Sequence, residues 1–328
     1  MELLIEPMGV SIDVKPGANL LEVLRERSVP ISYSCMAGRC GVCRCRLIDG
    51  HVMLSSNDLR QPIIGEGNDI LACQSTLTGP CRIEIPEPDE IVVHPARILK
   101  ASVVSITRET HDIMAIRLKS AKQLEFSPGQ YATLQFTPEH VRPYSMAGIA
   151  GDELLEFHVR LVPGGRVSSY VFDTLKLGDA VRVSGPLGAS YLRTQHTGPI
   201  LCVGGGTGLA PVLSILRGAL AAGMANPIHL YFGVRTAQDV YRAEALRDLA
   251  AAHPQLRVNI VIANGDVPDG MRGGLVTDVI EQDFESLEGF RAYLCGPPPM
   301  VEATTLVAKR RGLPARHIYA DAFYATGS

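Results

Sequence analysis

No stretch of this 328-residue chain is apolar for long enough to cross a bilayer. The longest apolar region, residues 199–224, is interrupted by six glycines and Arg217, and it reads as a strand, a turn and a helix. Net positive charge is missing too. With 31 Lys and Arg against 34 Asp and Glu, the formal charge is −3, which disfavours nucleic acid or an anionic membrane as partner. The opening residues, "MELLIEPMGV", carry an acid at position 2 and no basic segment before an apolar run, so no signal peptide is expected and a cytoplasmic location is. Thiols stay reduced there, and clustered cysteines then point to metal or redox chemistry rather than disulfides. The rest of the composition, 46% apolar and 20% charged, is that of a globular protein with length for two or three domains.

Against that background stands "YSCMAGRCGVCRC", residues 33–45. Cys35, Cys40 and Cys43 are spaced C-x4-C-x2-C, and Cys73 follows after 29 intervening residues. This is the spacing of a plant-type 2Fe–2S site. Four thiolates must converge on two irons, and loop glycines (Gly38, Gly41) let backbone approach and aim N–H groups at sulfur. Zinc is the competing metal, but zinc sites favour two short C-x2-C pairs, and Cys73 has no such partner. Cysteines that merely fill a core are the third reading. Cys45 alternates with Cys43 and, like Cys81 in "CRIEI", is expected to be a small packed residue. Around the cluster, "LLIEP" and "VSIDV" suggest a hairpin, and Asn19 is a candidate cap for a helix "LLEVLRER" with Leu20, Leu21 and Leu24 inward. Residues 1–90 resemble a plant-type ferredoxin, which implies a β-grasp fold.

"PEPDE", residues 86–90, reads as a linker. Short strands separated by turns follow, predicting an antiparallel β-barrel within residues 91–197. From 198 to 328 the pattern alternates β and α, predicting a doubly wound parallel sheet. The chain is thus expected to be multidomain, with three modules.

In the second module, "RPYSMAG" follows the strand "YATLQF" and resembles the flavin motif of the ferredoxin–NADP reductase superfamily. That resemblance implies FAD. Arg142 would neutralise its phosphate, Tyr144 would pack on it, and Ser145 would meet N5, the hydride-accepting atom. In "VPGGRVSSYV", Gly164 and Gly165 precede Val167 and Ser168 at a predicted helix start, where bare N–H groups and a hydroxyl suit a diphosphate; Arg160 would add charge.

In the third module, "VGGGTGLAP" lies between a strand and a helix. It is neither the G-x-G-x-x-G fingerprint, since Leu209 takes the last glycine's place, nor a Walker loop. It resembles the G-G-G-T-G-x-x-P segment of the same superfamily, so Gly204, Gly205, Gly206, Thr207, Gly208 and Pro211 are candidate NAD(P) contacts. "LCGPPPM" matches the superfamily's Cys-Gly-x-x-x-Met segment, which implies Cys295, Gly296 and Met300 beside the nicotinamide. In "IYADAFYATGS", Asp321 stands where Glu is commoner in the family, and Phe323 keeps the place of an aromatic that covers the flavin. Arg235 after "IHLYFGV" suits a 2′-phosphate and Asp239 a free 2′-OH; NADH is expected, with NADPH tolerated.

Together the three segments resemble the one-chain reductases of naphthalene dioxygenase-type ring-hydroxylating systems. The resemblance implies NADH as hydride donor, FAD as the group that splits the electron pair, a 2Fe–2S cluster as outlet, and a Rieske-type ferredoxin feeding a terminal oxygenase as partner. Arg39, Arg44 and Arg46 are candidates for steering an acidic ferredoxin, or are simply solvated. Two alternatives remain: the reductase of a soluble di-iron monooxygenase, and a non-catalytic iron–sulfur sensor or carrier.

Overall fold

Alternation of apolar and polar residues in the first 85 residues produces a mixed sheet. The computed structural model describes residues 1–33, 43–55, 60–64, 68–85 and 94–324. It divides into two compact units, residues 1–96 with 186–189, and residues 97–185 with 190–328.

In the first unit, β1 (Glu2–Glu6) and β2 (Val10–Asp13) form the expected hairpin, followed by α1 (Leu20–Glu26), β3 (Arg44–Ser55), β4 (Arg60–Ile64), β5 (Asn68–Leu71) and β6 (Ser75–Glu84). The strand order is β2-β1-β6-β3-β4, with β5 also on β3. β1 and β6 run parallel, the only parallel pair in this sheet among the described residues, which is the β-grasp arrangement. Leu20, Leu21 and Leu24 turn into the core against Leu3, Ile5 and Ile83. Asn19 caps α1 by accepting a hydrogen bond from the Glu22 N–H at 3.2 Å. Cys45 and Cys81 are packed in that core, and burial pushes their thiols up to about 12 and about 11, so both stay neutral.

The second unit begins with a six-stranded antiparallel sheet. Its strands are β7 (Arg97–Arg108), β8 (Ile113–Ser120), β9 (Tyr131–Thr137), β10 (His140–Ser145), β11 (Leu155–Arg160) and, after α2 (Arg166–Asp173), β12 (Ala180–Leu187). The order is β10-β9-β12-β7-β8-β11, and a bridge between Met146 and Phe157 draws the two edges together into a nearly closed barrel.

Six parallel strands follow: β13 (Ile200–Gly205), β14 (Ile228–Val234), β15 (Leu256–Ile262), β16 (Arg272–Gly273), β17 (Arg291–Gly296) and β18 (Ile318–Ala322). They alternate with α3 (Leu209–Ala221), α4 (Ala243–Ala252), α5 (Val276–Asp283) and α6 (Pro298–Arg310). The order β16-β15-β14-β13-β17-β18 reverses direction between β13 and β17, the switch point where such sheets bind ligands at the carboxyl ends of their strands. Every residue of β13 and of β17 is buried, because helices cover both faces.

One face of α3 is fastened to the barrel. The Ser214 hydroxyl accepts from the Gly129 N–H at 3.1 Å and donates to the Gly148 carbonyl at 2.6 Å. Arg217 holds Asp152 through two 2.7 Å bonds. A Cβ on Gly218 would stand 2.3 Å from Pro128. Positions 214, 217 and 218 share a face by helical spacing. No helix among the described residues is long and apolar enough to cross a membrane.

Candidate functional site

The cysteine site is described in part. Cys35, Cys40 and Arg39 lie outside the described residues, as does the proposed linker at 86–90. Cys43 and Cys73 are brought together: the Cys73 N–H points at Cys43 Sγ at 3.5 Å, and the Ala72 N–H donates to the Cys43 carbonyl at 2.9 Å. Cys73 Sγ accepts from Gln74 Nε2 at 3.7 Å. N–H groups aimed at sulfur suit thiolate ligands, so the described half of the donor set fits a cluster. Asn19 has a second task that its capping pattern does not reveal, since its side-chain N–H donates to the Cys73 carbonyl at 3.0 Å. Arg44 pairs with Asp69 at 3.4 Å and Arg46 with Glu84 at 3.9 Å, both through exposed side chains.

On β10, strand alternation puts Arg142 and Tyr144 on one face. Tyr144 packs against the barrel core, and burial pushes its phenol up to about 12. Ser145 is only 8% exposed, and its hydroxyl has no hydrogen-bond partner among the described residues. The hydroxyl is not among the sealed, unpartnered polar atoms, so it is open to water or a ligand, and this strand end can offer it to a flavin heteroatom. At the start of α2, Gly164 takes φ +71° and Gly165 is the N-cap, with no side chain capping the helix. The first-turn N–H groups are thus not taken up by a side-chain cap, which leaves them for an anion. Val167 is buried in the barrel core and can contribute only backbone. The Ser168 hydroxyl is turned inward: it accepts from the Val162 N–H at 3.1 Å and donates to the Gly165 carbonyl at 3.0 Å, closing the turn. Arg160 is likewise engaged, with Nε 2.7 Å from Asp112 Oδ2. Burial works to raise Asp112, but the bond and charge of Arg160 outweigh it and hold the carboxyl low.

The two segments expected around nicotinamide meet at the switch point. Gly204 pairs in register with Cys295 across β13 and β17. A Cβ on Gly208 would lie 2.1 Å from the Cys295 carbonyl oxygen, and one on Gly205 would lie 2.7 Å from Met300 Sδ. Gly296 needs φ +135° and would strike the Gly205 carbonyl at 2.7 Å. Only bare backbone permits this approach. Gly208 is the N-cap of α3 without a side-chain cap, and Pro211 sits in the first turn. The helix N-terminus and glycine loop fit a pyrophosphate. Thr207 in the same loop is partly exposed.

Asp321 pairs in register with Cys295 across β17 and β18, and the Phe323 N–H donates to the Gly296 carbonyl at 2.8 Å. The C-terminal acid and aromatic therefore join the Cys-Gly segment. Burial raises the Asp321 carboxyl to about 6. Cys295 is fully buried, and burial followed by the nearby Asp321 charge pushes its thiol well up, so it is a neutral, compact wall.

Arg235 and Asp239 are not alike. Arg235 is exposed with no side-chain partner among the described residues. Asp239 Oδ2 accepts from the Thr236 N–H and hydroxyl, both at 2.9 Å, in a capping box.

Sequence reasoning passed over Glu156 and His158. With Arg160 they occupy alternate positions on β11, a polar stripe opposite Leu155, Phe157 and Val159. Glu156 Oε1 lies 3.1 Å from His158 Nε2 and 2.8 Å from Arg242, and its Oε2 2.8 Å from Arg117. Burial favours a neutral Glu156, but the His158 bond and the Arg242 charge override it and hold the carboxyl down at about 2. Period-two polarity on a barrel strand was the signal available.

Three family models match successive stretches of the chain. A 2Fe-2S iron-sulfur cluster binding domain matches residues 3–78, an oxidoreductase FAD-binding domain residues 100–191, and an oxidoreductase NAD-binding domain residues 202–305. The chain is 62% identical over 327 residues to the ferredoxin–NAD(P)+ reductase component of a naphthalene 1,2-dioxygenase system from Pseudomonas putida, covering 100% of both. It is 60% identical, again over 100% of both, to the corresponding component of naphthalene 1,2-dioxygenase/salicylate 5-hydroxylase systems from a Ralstonia species. A crystal structure of a cytochrome P450 reductase from Amycolatopsis matches with TM-score 0.72 and 34% identity over 98% of each chain.

Proposed function

Because the chain belongs to the family of ferredoxin–NAD(P)+ reductases that serve naphthalene dioxygenase systems, we propose that it carries reducing equivalents from NADH to a Rieske-type ferredoxin, and through it to a terminal aromatic-ring oxygenase, in the cytoplasm. When bound, the nicotinamide supplies a hydride, FAD accepts it and releases electrons singly, and the 2Fe–2S cluster is their outlet.

The chain's own residues bind, orient and exclude water. Three modules with borders near 90 and 197 divide the work. Cys35, Cys40, Cys43 and Cys73 hold the cluster. Arg142 neutralises FAD phosphate, Tyr144 covers the flavin's apolar surface, and the unpartnered Ser145 hydroxyl meets a polar atom of the ring system. Gly164, Gly165, Val167 and Ser168 offer the α2 N-terminus to the diphosphate, with Ser168 acting by shaping the turn rather than by its occupied hydroxyl. Arg160, paired with Asp112, contributes less charge to that site than an unpaired arginine would. Gly204, Gly205, Gly206, Thr207, Gly208 and Pro211 cradle the NAD(P) pyrophosphate, while Cys295, Gly296 and Met300 form the wall beside the nicotinamide. Cys295 stays protonated and uncharged, so it walls off water without competing as a nucleophile. Burial raises Asp321 to about 6, near enough to neutrality for it to hold or release a proton, and Phe323 covers the flavin when nicotinamide is away. The free Arg235 supports tolerance of NADPH, and the single open oxygen of Asp239 supports NADH.

The observation that carries the reading is the meeting of the Gly204–Gly208 loop with Cys295, Gly296, Asp321 and Phe323 at the switch point. Anaerobic addition of NADH to holoprotein is expected to bleach the flavin band, and a Rieske-type ferredoxin added next is expected to be reduced. An unbleached flavin defeats the proposal; a bleached flavin that reduces only a di-iron hydroxylase moves the protein to another system.

A further inference from the structure

His158 projects from the outer face of β11, yet it is only 3% exposed, because Tyr241 from the loop before α4 covers it. The Tyr241 hydroxyl lies 2.9 Å from His158 Nδ1 and 3.3 Å from the Gly206 carbonyl oxygen. His158 Nε2 lies 3.1 Å from Glu156 Oε1. Gly206 takes φ +55° in the loop read above as the dinucleotide cradle. A line of hydrogen bonds therefore runs from a barrel strand to that loop, joining residues far apart in sequence.

Counting protons along the line gives two arrangements. Burial pushes the Tyr241 phenol well up, so the hydroxyl keeps its one proton. That proton goes to His158 or to Gly206, not both. Glu156 is a carboxylate and only accepts, so a neutral His158 carries its proton on Nε2. Its bare Nδ1 then takes the Tyr241 proton, and the Gly206 carbonyl is left without its donor. A charged His158 donates from both nitrogens, which frees the Tyr241 proton for the Gly206 carbonyl. The groups that bias the choice are Glu156 on β11, Arg117 on β8, Glu109 after β7, and Arg242, which binds both Glu109 and Glu156. The Asp112–Arg160 pair lies on the other side, with the Arg160 guanidinium 3.4 Å from where a Gly206 Cβ would be.

We propose that Tyr241 and His158 are positioning residues for the dinucleotide: they set the Gly206 carbonyl, and with it the seat of the glycine loop against the barrel, according to the protonation of His158. The proposal rests on reading residues 203–211 as the dinucleotide site.

The test uses oxidised holoprotein titrated with NAD+ across pH, followed by the flavin difference spectrum, with histidine ring NMR on the same samples. Tyr241→Phe keeps the ring that packs edge-on against Phe232 at 5.5 Å and removes only the hydroxyl. Wild-type affinity is expected to be higher at the acidic end of the range. Tyr241→Phe is expected to bind NAD+ about fivefold more weakly at the acidic end, equivalent to ~1 kcal/mol for one hydrogen bond, with no pH dependence from this source and altered His158 ring resonances. His158→Asn, whose amide reaches Tyr241 but not Glu156, is expected to hold near wild-type acidic affinity at every pH. FAD content is expected to stay at the wild-type value in both, and both are expected to melt lower, since each loses a buried hydrogen bond. Tyr241→Phe with the wild-type affinity and pH profile overturns the proposal. Wild-type protein that binds no NAD+ overturns the dinucleotide reading and this inference with it, and the two failures are distinguishable.

Discussion

Replacing Gly208 with alanine isolates a single contact. The residue has φ −62° and ψ −13°, ordinary right-handed geometry, so alanine carries no backbone penalty there. It would even gain roughly 0.5–1 kcal/mol by restricting the unfolded chain. What opposes it is space. The new Cβ would stand 2.1 Å from the Cys295 carbonyl oxygen, 2.5 Å from its carbon and 2.8 Å from Gly296 Cα, against an ordinary separation of about 3.5 Å. All three are backbone atoms of β17, which is hydrogen-bonded to β13 on one side and β18 on the other, so none can swing aside. Relief requires the loop and strand to part by about 1 Å, and overpacking of that kind costs ~1–3 kcal/mol. The contact therefore outweighs the alanine gain. For a unit of this size, a net loss of ~1–2 kcal/mol lowers the melting temperature by about 2–8 °C. The same displacement should raise the KM for NADH about tenfold or more while FAD content stays normal. Gly223→Ala is the matched control: φ is +68° with open space around it, so it should cost ~1 kcal/mol and leave KM unchanged. The assays are a thermal scan followed by flavin release and steady-state kinetics with ferricyanide as acceptor. Gly208→Ala that melts and binds NADH like wild type would refute the close approach.

Other perturbations have equally definite signs. Asp321 is raised to about 6 from near 3.8, so the folded state holds its proton more tightly than the unfolded state, and this group's contribution to stability falls as pH rises through 4–6; Asp321→Asn should flatten that stretch of the melting-temperature profile and melt higher than wild type above pH 6. Glu156, held at about 2, contributes stability above its unfolded value near 4.5 that is lost as pH falls toward 2. Glu156→Gln leaves Arg242 half-paired and should cost ~3 kcal/mol by denaturant titration at pH 7. Arg44 and Asp69 are exposed partners worth little to the fold, so Arg44→Glu should weaken ferredoxin reduction at low salt and leave NADH-to-ferricyanide activity intact; an unchanged salt dependence removes Arg44 from docking.

Local chemistry made the larger part of this molecule legible. Cysteine spacing, the Asn19 cap, and glycine runs at strand–helix junctions are dictated over a few residues, and the structure returns the cap and the junctions where the sequence puts them. The meeting of "GGGTG" with "CGPPP" was legible only in part: each segment announces close backbone approach, but not that the other supplies the backbone. Polar side chains were harder to read. Ser168, Arg160 and Asp239 look available as residue types, yet their nearest neighbours claim them first, through a turn, an ion pair and a capping box. The link from His158 to Tyr241 spans 83 positions, and no local periodicity encodes it.

The fastening of α3 bears on how such reductases are recombined. The helix that opens at the glycine loop is locked, one and a half to three turns further on, by Ser214, Arg217 and Gly218 to the barrel segments at 128–129 and 148–152. A graft that brings in a foreign nucleotide-binding half while keeping the native barrel inherits a mismatched clasp, and the helix start will aim elsewhere even when both halves fold. Chimeras should cross over so that these three helical positions travel with their two barrel loops, or the loops must be rewritten to match.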